Sequence, residues 1–153
     1  PAVKSGNYLN NVLALAEAKS KGATDCVMLN TDGAVTEAST ANLFALRQGA
    51  WCTPPLGAGI LAGITRRAIL DLLAEDGQRV CEHPLTREDL MAADELFLCS
   101  TLRDISPVSH LDGRPMNSSS RTASLSPLFT EHLRRQRTER DMPRWRELLD
   151  DSR

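Results

Sequence analysis

The run from Asp25 to Thr53, DCVMLNTDGAVTEASTANLFALRQGAWCT, decides how this chain folds. It breaks into short strand-like pieces: DCVMLN (25–30), AVTEA (34–38), NLFALR (42–47) and AWCT (50–53). TDG (31–33) and RQG (47–49) lie between pieces and supply turn chemistry. Brief apolar stretches divided in this way read as strands that pair with their neighbours in the chain. The region predicts a meander of antiparallel strands.

Downstream, Pro54, Pro55, Gly57, Gly59 and Gly63 form a loop that runs into LAGITRRAILDLLAEDG (61–77). Ile64, Ala68, Ile69, Leu72 and Leu73 share one helical stripe, and Gly77 ends it. RVCEHPL (79–85) reads as a strand, TREDLMAAD (86–94) as a short helix with a Thr86/Asp89 capping box, and ELFLCSTL (95–102) as a strand buried on both faces. Upstream, Asn7 is a plausible cap for a helix whose stripe is Leu9, Val12, Leu13 and Ala16, closing at Lys19, Lys21 and Gly22. After Gly113 the run RPMNSSSRTASLS (114–126) reads as a loop or linker, followed by two short helical stretches over 125–137 and 143–149. The expectation is an α/β (α+β-like) domain with helices packed on a mostly antiparallel sheet.

The totals narrow the function classes. A chain of 153 residues suffices for a single core-bearing domain, and its 41% apolar and 25% charged residues are those of a globular protein. A formal charge of −2 argues against a molecule drawn to nucleic acid or a membrane surface by its overall field. No run reaches the roughly 18 apolar residues of a membrane helix, and no basic-then-apolar leader is evident, so a cytoplasmic setting is expected. Cys26, Cys52, Cys81 and Cys99 form no C-x-x-C pair, and His83, His110 and His132 do not cluster with them. Neither a metal centre nor a disulfide is expected, and all four cysteines read as small core or half-buried residues.

Several residues admit two readings. Lys4, in KSGNY, is a solvated terminal charge or an amine that forms a Schiff base with an aldehyde. Glu37 faces solvent, or is a buried carboxylate that needs a cation such as a protonated ring nitrogen. Gly63, Ile64 and Thr65 begin a helix either for packing alone or because an anion sits on the exposed amides. Ser100 and Thr101, at the end of LFLCST, supply further hydroxyls and amides. RRQRTER (134–140) is a solvated helix face or an interaction surface.

These features occur in an order that resembles the large, C-terminal domain of class IV aminotransferases, the fold-type IV pyridoxal phosphate (PLP) enzymes. The runs that carry the resemblance are KSGNYLNNVLALAEAKSKGA, DGAVTEASTANLFAL, TPPLGAGILAGITRRAILDL, ADELFLCST and ISPV, together spanning Pro1 to Gly113. It implies that Lys4 holds the cofactor and shuttles the α-proton, and that Glu37 keeps the pyridine nitrogen protonated. Leu61 then lies against the ring. Gly63, Ile64, Thr65, Ser100 and Thr101 surround the phosphate, while Tyr8, Thr101 and Leu102 lie on the substrate side. Arg103 favours an acidic substrate or points to solvent. The resemblance further implies a large domain over 1–113, a Ser-rich linker and helical tail over 114–153, and the family's N-terminal small domain missing from the chain. The implied activity is amino-group transfer between an amino acid, branched-chain-like, and a 2-oxo acid, in a homodimer without nucleic-acid or membrane partners. The alternatives are a 4-amino-4-deoxychorismate lyase and an inactive fragment.

Overall fold

The computed structural model describes residues 8–116 and 120–150, the part from 138 onward by its backbone alone. The predicted strands form where expected: β1 (Val27–Leu29), β2 (Val35–Ala38), β3 (Asn42–Arg47) and β4 (Ala50–Thr53). β1 pairs antiparallel with β2, and β3 with β4. The β3–β4 joint is a two-residue loop, since Arg47 opposes Ala50 across it. Gln48 (φ 48°) and Gly49 (φ 75°) both take positive φ there, the twist that tight hairpins prefer.

Helix α2 (Ile64–Glu75) then carries the chain across to β5 (Val80–Glu82), which lies parallel to β4. The short α3 (Arg87–Met91) has the expected capping box, Thr86 and Asp89 each accepting from the other's backbone. β6 (Glu95–Ser100) and β7 (Asp104–Pro107) complete a five-stranded sheet in the order β5-β4-β3-β6-β7. A small hairpin of β8 (His110–Leu111) and β9 (Arg114–Pro115) follows. The final helix is α4 (Ser120–Asp150).

Both faces of the sheet are covered, which is why β3 and β6 read as continuous apolar runs rather than alternating ones. On one face Phe44, Trp51, Phe97 and Cys99 meet Ile69 and Leu73 of α2 and Leu125 and Phe129 of α4. Phe97 stacks on Phe44 at 4.9 Å and meets the edge of Trp51 at 5.0 Å. On the other face Leu43, Ala45, Leu96 and Leu98 are covered by Val35, Ala38, Leu85 and Leu90.

Three expectations need correcting. From Ser120 the chain does not continue as a linker followed by two short helices: α4 is continuous over Ser120–Asp150, and Leu125 and Phe129 belong to the core. What fixes its start is a buried acid that composition does not reveal. Glu95, 5% exposed on β6, accepts from Arg121 N (3.0 Å), Thr122 N (2.8 Å) and Thr122 Oγ1 (2.7 Å), so an anion from the sheet caps the helix. Glu95→Ala leaves these buried donors without an acceptor. It is expected to cost about 1–3 kcal/mol in denaturant unfolding, with the loss in protection from amide exchange concentrated at the start of α4.

The second correction concerns α1 (Leu9–Ser20), whose cap is Tyr8; Asn7 lies outside the described residues. Its stripe does not enter this chain's core, for Leu9, Val12 and Leu13 are 63%, 58% and 59% exposed. Both faces of the five-stranded sheet are already occupied by other elements, and Asn11 Nδ2 of α1 donates instead to Ser39 O in the β2–β3 turn at 2.8 Å. Third, Cys81 is exposed rather than half-buried, on the outer strand β5 and opposite Cys52 in register.

Candidate active site

Glu37 sits near the end of β2, half-buried rather than solvated, where the chain turns through Ser39 and Thr40 into β3. Its Oε2 accepts from Asn42 Nδ2 at 3.0 Å and from Leu61 N at 3.1 Å. The same Asn42 amide donates to Leu61 O at 3.0 Å. One buried asparagine thus ties the carboxylate to the loop that opens α2. Among the described residues both donors fall on Oε2. Burial pushes the Glu37 carboxyl up, against the pull of the Leu61 N–H. A half-buried acid whose contacts with the described residues all fall on one oxygen suits a protonated ring nitrogen, whose charge offsets the cost of desolvation.

The glycine at the start of α2 has a packing reason. A Cβ on Gly63 would lie 2.1 Å from Asn42 Oδ1, so the asparagine can sit where it does only if residue 63 has no side chain. Packing therefore does demand a glycine. The anion reading stands beside it: no side chain caps the helix at Gly63, no acidic residue occupies its first turn, and Ile64 is 84% exposed. A helix start of this kind binds phosphate readily.

The remaining residues arrive from β6. Asn42 is the register partner of Cys99, which puts Ser100, and Thr101 just beyond it, at the same end of the sheet as Glu37. Ser100 is half-buried; Thr101 and Leu102 are exposed in the β6–β7 turn. Burial pushes the Cys99 thiol up to about 12, so this neighbouring sulfur stays neutral and is no competing nucleophile. Tyr8 is half-buried at the start of α1, whose Asn11 bonds Ser39 two residues beyond Glu37. Lys4 lies outside the described residues. Arg103 is exposed, as one of its two expected readings has it, and its guanidinium also pairs with Asp25 at 2.5 Å.

Two positioning residues escaped the sequence reading. Asn42 looked like the polar first residue of a strand, and nothing local marked it as the hub. Arg66 is 4% exposed and bonds Pro54 O (2.8 Å), Glu82 Oε2 (2.7 Å) and Thr53 Oγ1 (3.3 Å), locking the first turn of α2 to β4 and β5. A signal for it existed. Arg66, Ile69 and Leu73 fall at helical spacing on the buried stripe, and a cation placed there must have a partner.

Known proteins resemble this chain in sequence and fold. The family model for amino-transferase class IV matches residues 1–111. This chain belongs to the class IV aminotransferases. A provisionally named branched-chain-amino-acid aminotransferase of Methanocaldococcus jannaschii is 45% identical over 117 residues, 76% of this chain and 41% of the relative. The branched-chain amino acid aminotransferase of Thermobaculum terrenum, solved in its PLP form, superposes with a TM-score of 0.79 at 34% identity, over 82% of this chain and 42% of that one. A Legionella pneumophila protein provisionally named 4-amino-4-deoxychorismate lyase superposes with a TM-score of 0.81 at 33% identity, over 84% and 48%. This class IV aminotransferase chain thus spans less than half the length of each of these relatives. Among its described residues no helix is long and apolar enough to cross a membrane.

Proposed function

We propose that this chain is the cofactor-holding part of a PLP-dependent aminotransferase that moves an amino group between a branched-chain-like L-amino acid and a 2-oxo acid. The observation that carries the reading is the hydrogen-bonded set Glu37–Asn42–Leu61, closed against Gly63 at an uncapped helix start. It provides a carboxylate for a ring nitrogen and, next to it, main-chain donors for a phosphate. PLP, when bound, supplies an electron sink that stabilises negative charge at the substrate α-carbon.

The residues divide the work. Glu37 holds a proton on the ring nitrogen, and Asn42 holds Glu37. The amides of Ile64 and Thr65, with the Thr65 hydroxyl and the Ser100–Thr101 end of β6, receive the phosphate. Leu61 would pack on the ring. Lys4 binds the cofactor and carries the α-proton as general acid and base. Tyr8 and the Thr101–Leu102 turn face the substrate. Kinship with the M. jannaschii and T. terrenum proteins supports the branched-chain preference, and a cytoplasmic homodimer belongs to the same reading.

The Legionella likeness favours a second reading, in which the same site eliminates pyruvate. The protein loaded with PLP is mixed with valine, leucine or isoleucine and followed by absorbance, then tested for pyruvate and 4-aminobenzoate release from aminodeoxychorismate. Loss of the bound-cofactor absorbance with a branched-chain amino acid, restored by a 2-oxo acid, supports transamination. Pyruvate release without amino exchange supports the lyase. Uptake of PLP with neither reaction would restrict the chain to a cofactor-holding domain, and failure to take up PLP would end the proposal.

A further inference from the structure

The β6–β7 turn that carries Thr101 and Leu102 has little apolar packing of its own. Residues 101–104 are all exposed, Leu102 at 98%, and Asp104 takes a φ of 49°, a conformation that side-chain-bearing residues seldom adopt. The turn is held by charge instead. Arg103 Nη1 meets Asp25 Oδ2 at 2.5 Å, and Arg103 Nη2 donates to Thr40 Oγ1 at 3.3 Å. Asp25 is a fixed anchor, its side chain only 10% exposed. Its Oδ1 accepts from Ser39 Oγ (2.6 Å), Cys26 N (2.8 Å) and Ser39 N (3.2 Å). Burial alone would raise the Asp25 carboxyl, but the Ser39 hydroxyl, the Cys26 N–H and Arg103 outweigh it and hold it below the usual carboxylate range. Ser39 O in turn accepts from Asn11 of α1 at 2.8 Å.

One network therefore joins three segments distant in sequence. The β6–β7 turn carries Thr101, the Ser39–Thr40 turn lies between Glu37 and Asn42, and α1 follows the segment of Lys4. We infer that Arg103 and Asp25 are a positioning pair that clamps the Thr101–Leu102 turn onto the Glu37 turn and so sets the spacing between the phosphate donors and the carboxylate. Arg103 acts here by position, through the bonds of its guanidinium to Asp25 and Thr40. The inference rests on the proposed PLP function, since it assigns Arg103 a part in assembling that site.

The test compares wild type, Arg103→Ala and Arg103→Lys. In the protein without PLP, Arg103→Ala is expected to speed amide exchange by about tenfold or more at 101–104 and 39–41 while β3 and β6 keep their protection. Arg103→Lys, which retains one charge contact, restores most of it. With PLP, Arg103→Ala is expected to raise both the cofactor Kd and the amino-acid KM by about tenfold, with a much smaller change in kcat. A role confined to stability would lower Tm and leave the Kd and KM alone. Unchanged exchange at both turns, or unchanged Kd and KM in Arg103→Ala, overturns the inference. A wild type that takes up no PLP overturns the functional reading instead, and the exchange comparison still decides whether the clamp exists.

Discussion

Replacing Glu37 with glutamine is expected to lower kcat by roughly 10²–10³-fold, the usual cost of losing one preorganised electrostatic partner. The substitution is close to isosteric. The glutamine carbonyl can accept from Asn42 and Leu61 as Oε2 does, so the loop before α2 should keep its place. What disappears is the negative charge that, in the proposed function, keeps a ring nitrogen protonated. The same change has the opposite effect on the cofactor-free fold. Burial raises the Glu37 carboxyl, so the fold prefers the protonated acid. That contribution is complete below the unfolded value and is lost as pH rises through the folded one. Once pH passes that value the wild type without PLP has to hold a charge in a half-buried place, which the neutral amide avoids. Melting scans from acid to neutral pH should therefore show wild-type stability falling relative to Glu37→Gln as pH rises. Steady-state kinetics with saturating PLP provide the other half. A glutamine variant within a few-fold of wild-type kcat would remove Glu37 from the chemistry.

Gly63→Ala is the second large effect, and its cause is a single contact. The added methyl would fall 2.1 Å from Asn42 Oδ1, well inside any permitted separation. Asparagine is short, and its amide is pinned by bonds to Glu37 Oε2 and Leu61 O. Either Asn42 rotates away and releases both, or the first turn of α2 moves. The overpacking is expected to cost about 1–3 kcal/mol. A shift of an ångström at the phosphate donors and Glu37 is expected to lower kcat/KM by on the order of 10²-fold. A double-mutant cycle separates the causes. In an Asn42→Ala background the methyl meets no amide, so Gly63→Ala should cost little further stability, although activity stays low because Glu37 has lost its holder. If the two substitutions add in full, the contact is not what requires glycine.

Much of the architecture was legible because it is local. The turn sequences, the apolar pieces of Asp25–Thr53 and the capping box at Thr86 each state their structure within a few residues, and strands, α2 and α3 form where those signals lie. The end of the chain was not legible for the opposite reason. The start of α4 depends on a carboxylate 25 or more residues upstream, and a serine-rich run gives no hint of it. α1 misled differently. Its apolar stripe is genuine, yet a stripe says only that a helix could be buried, not that this chain offers the surface.

By itself the sequence determined the residue types available for chemistry and their order: an acid in a strand, a glycine at a helix start, hydroxyls closing a buried strand. Only the tertiary structure decided which of them meet. The buried Asn42 joins Glu37 to Leu61 across 24 positions, and Arg103 finds Asp25 across 78. The physical reason is that a polar group taken out of water must be paired, while the identity of its partner depends on which strands lie side by side. Spacing along the chain carries no record of that.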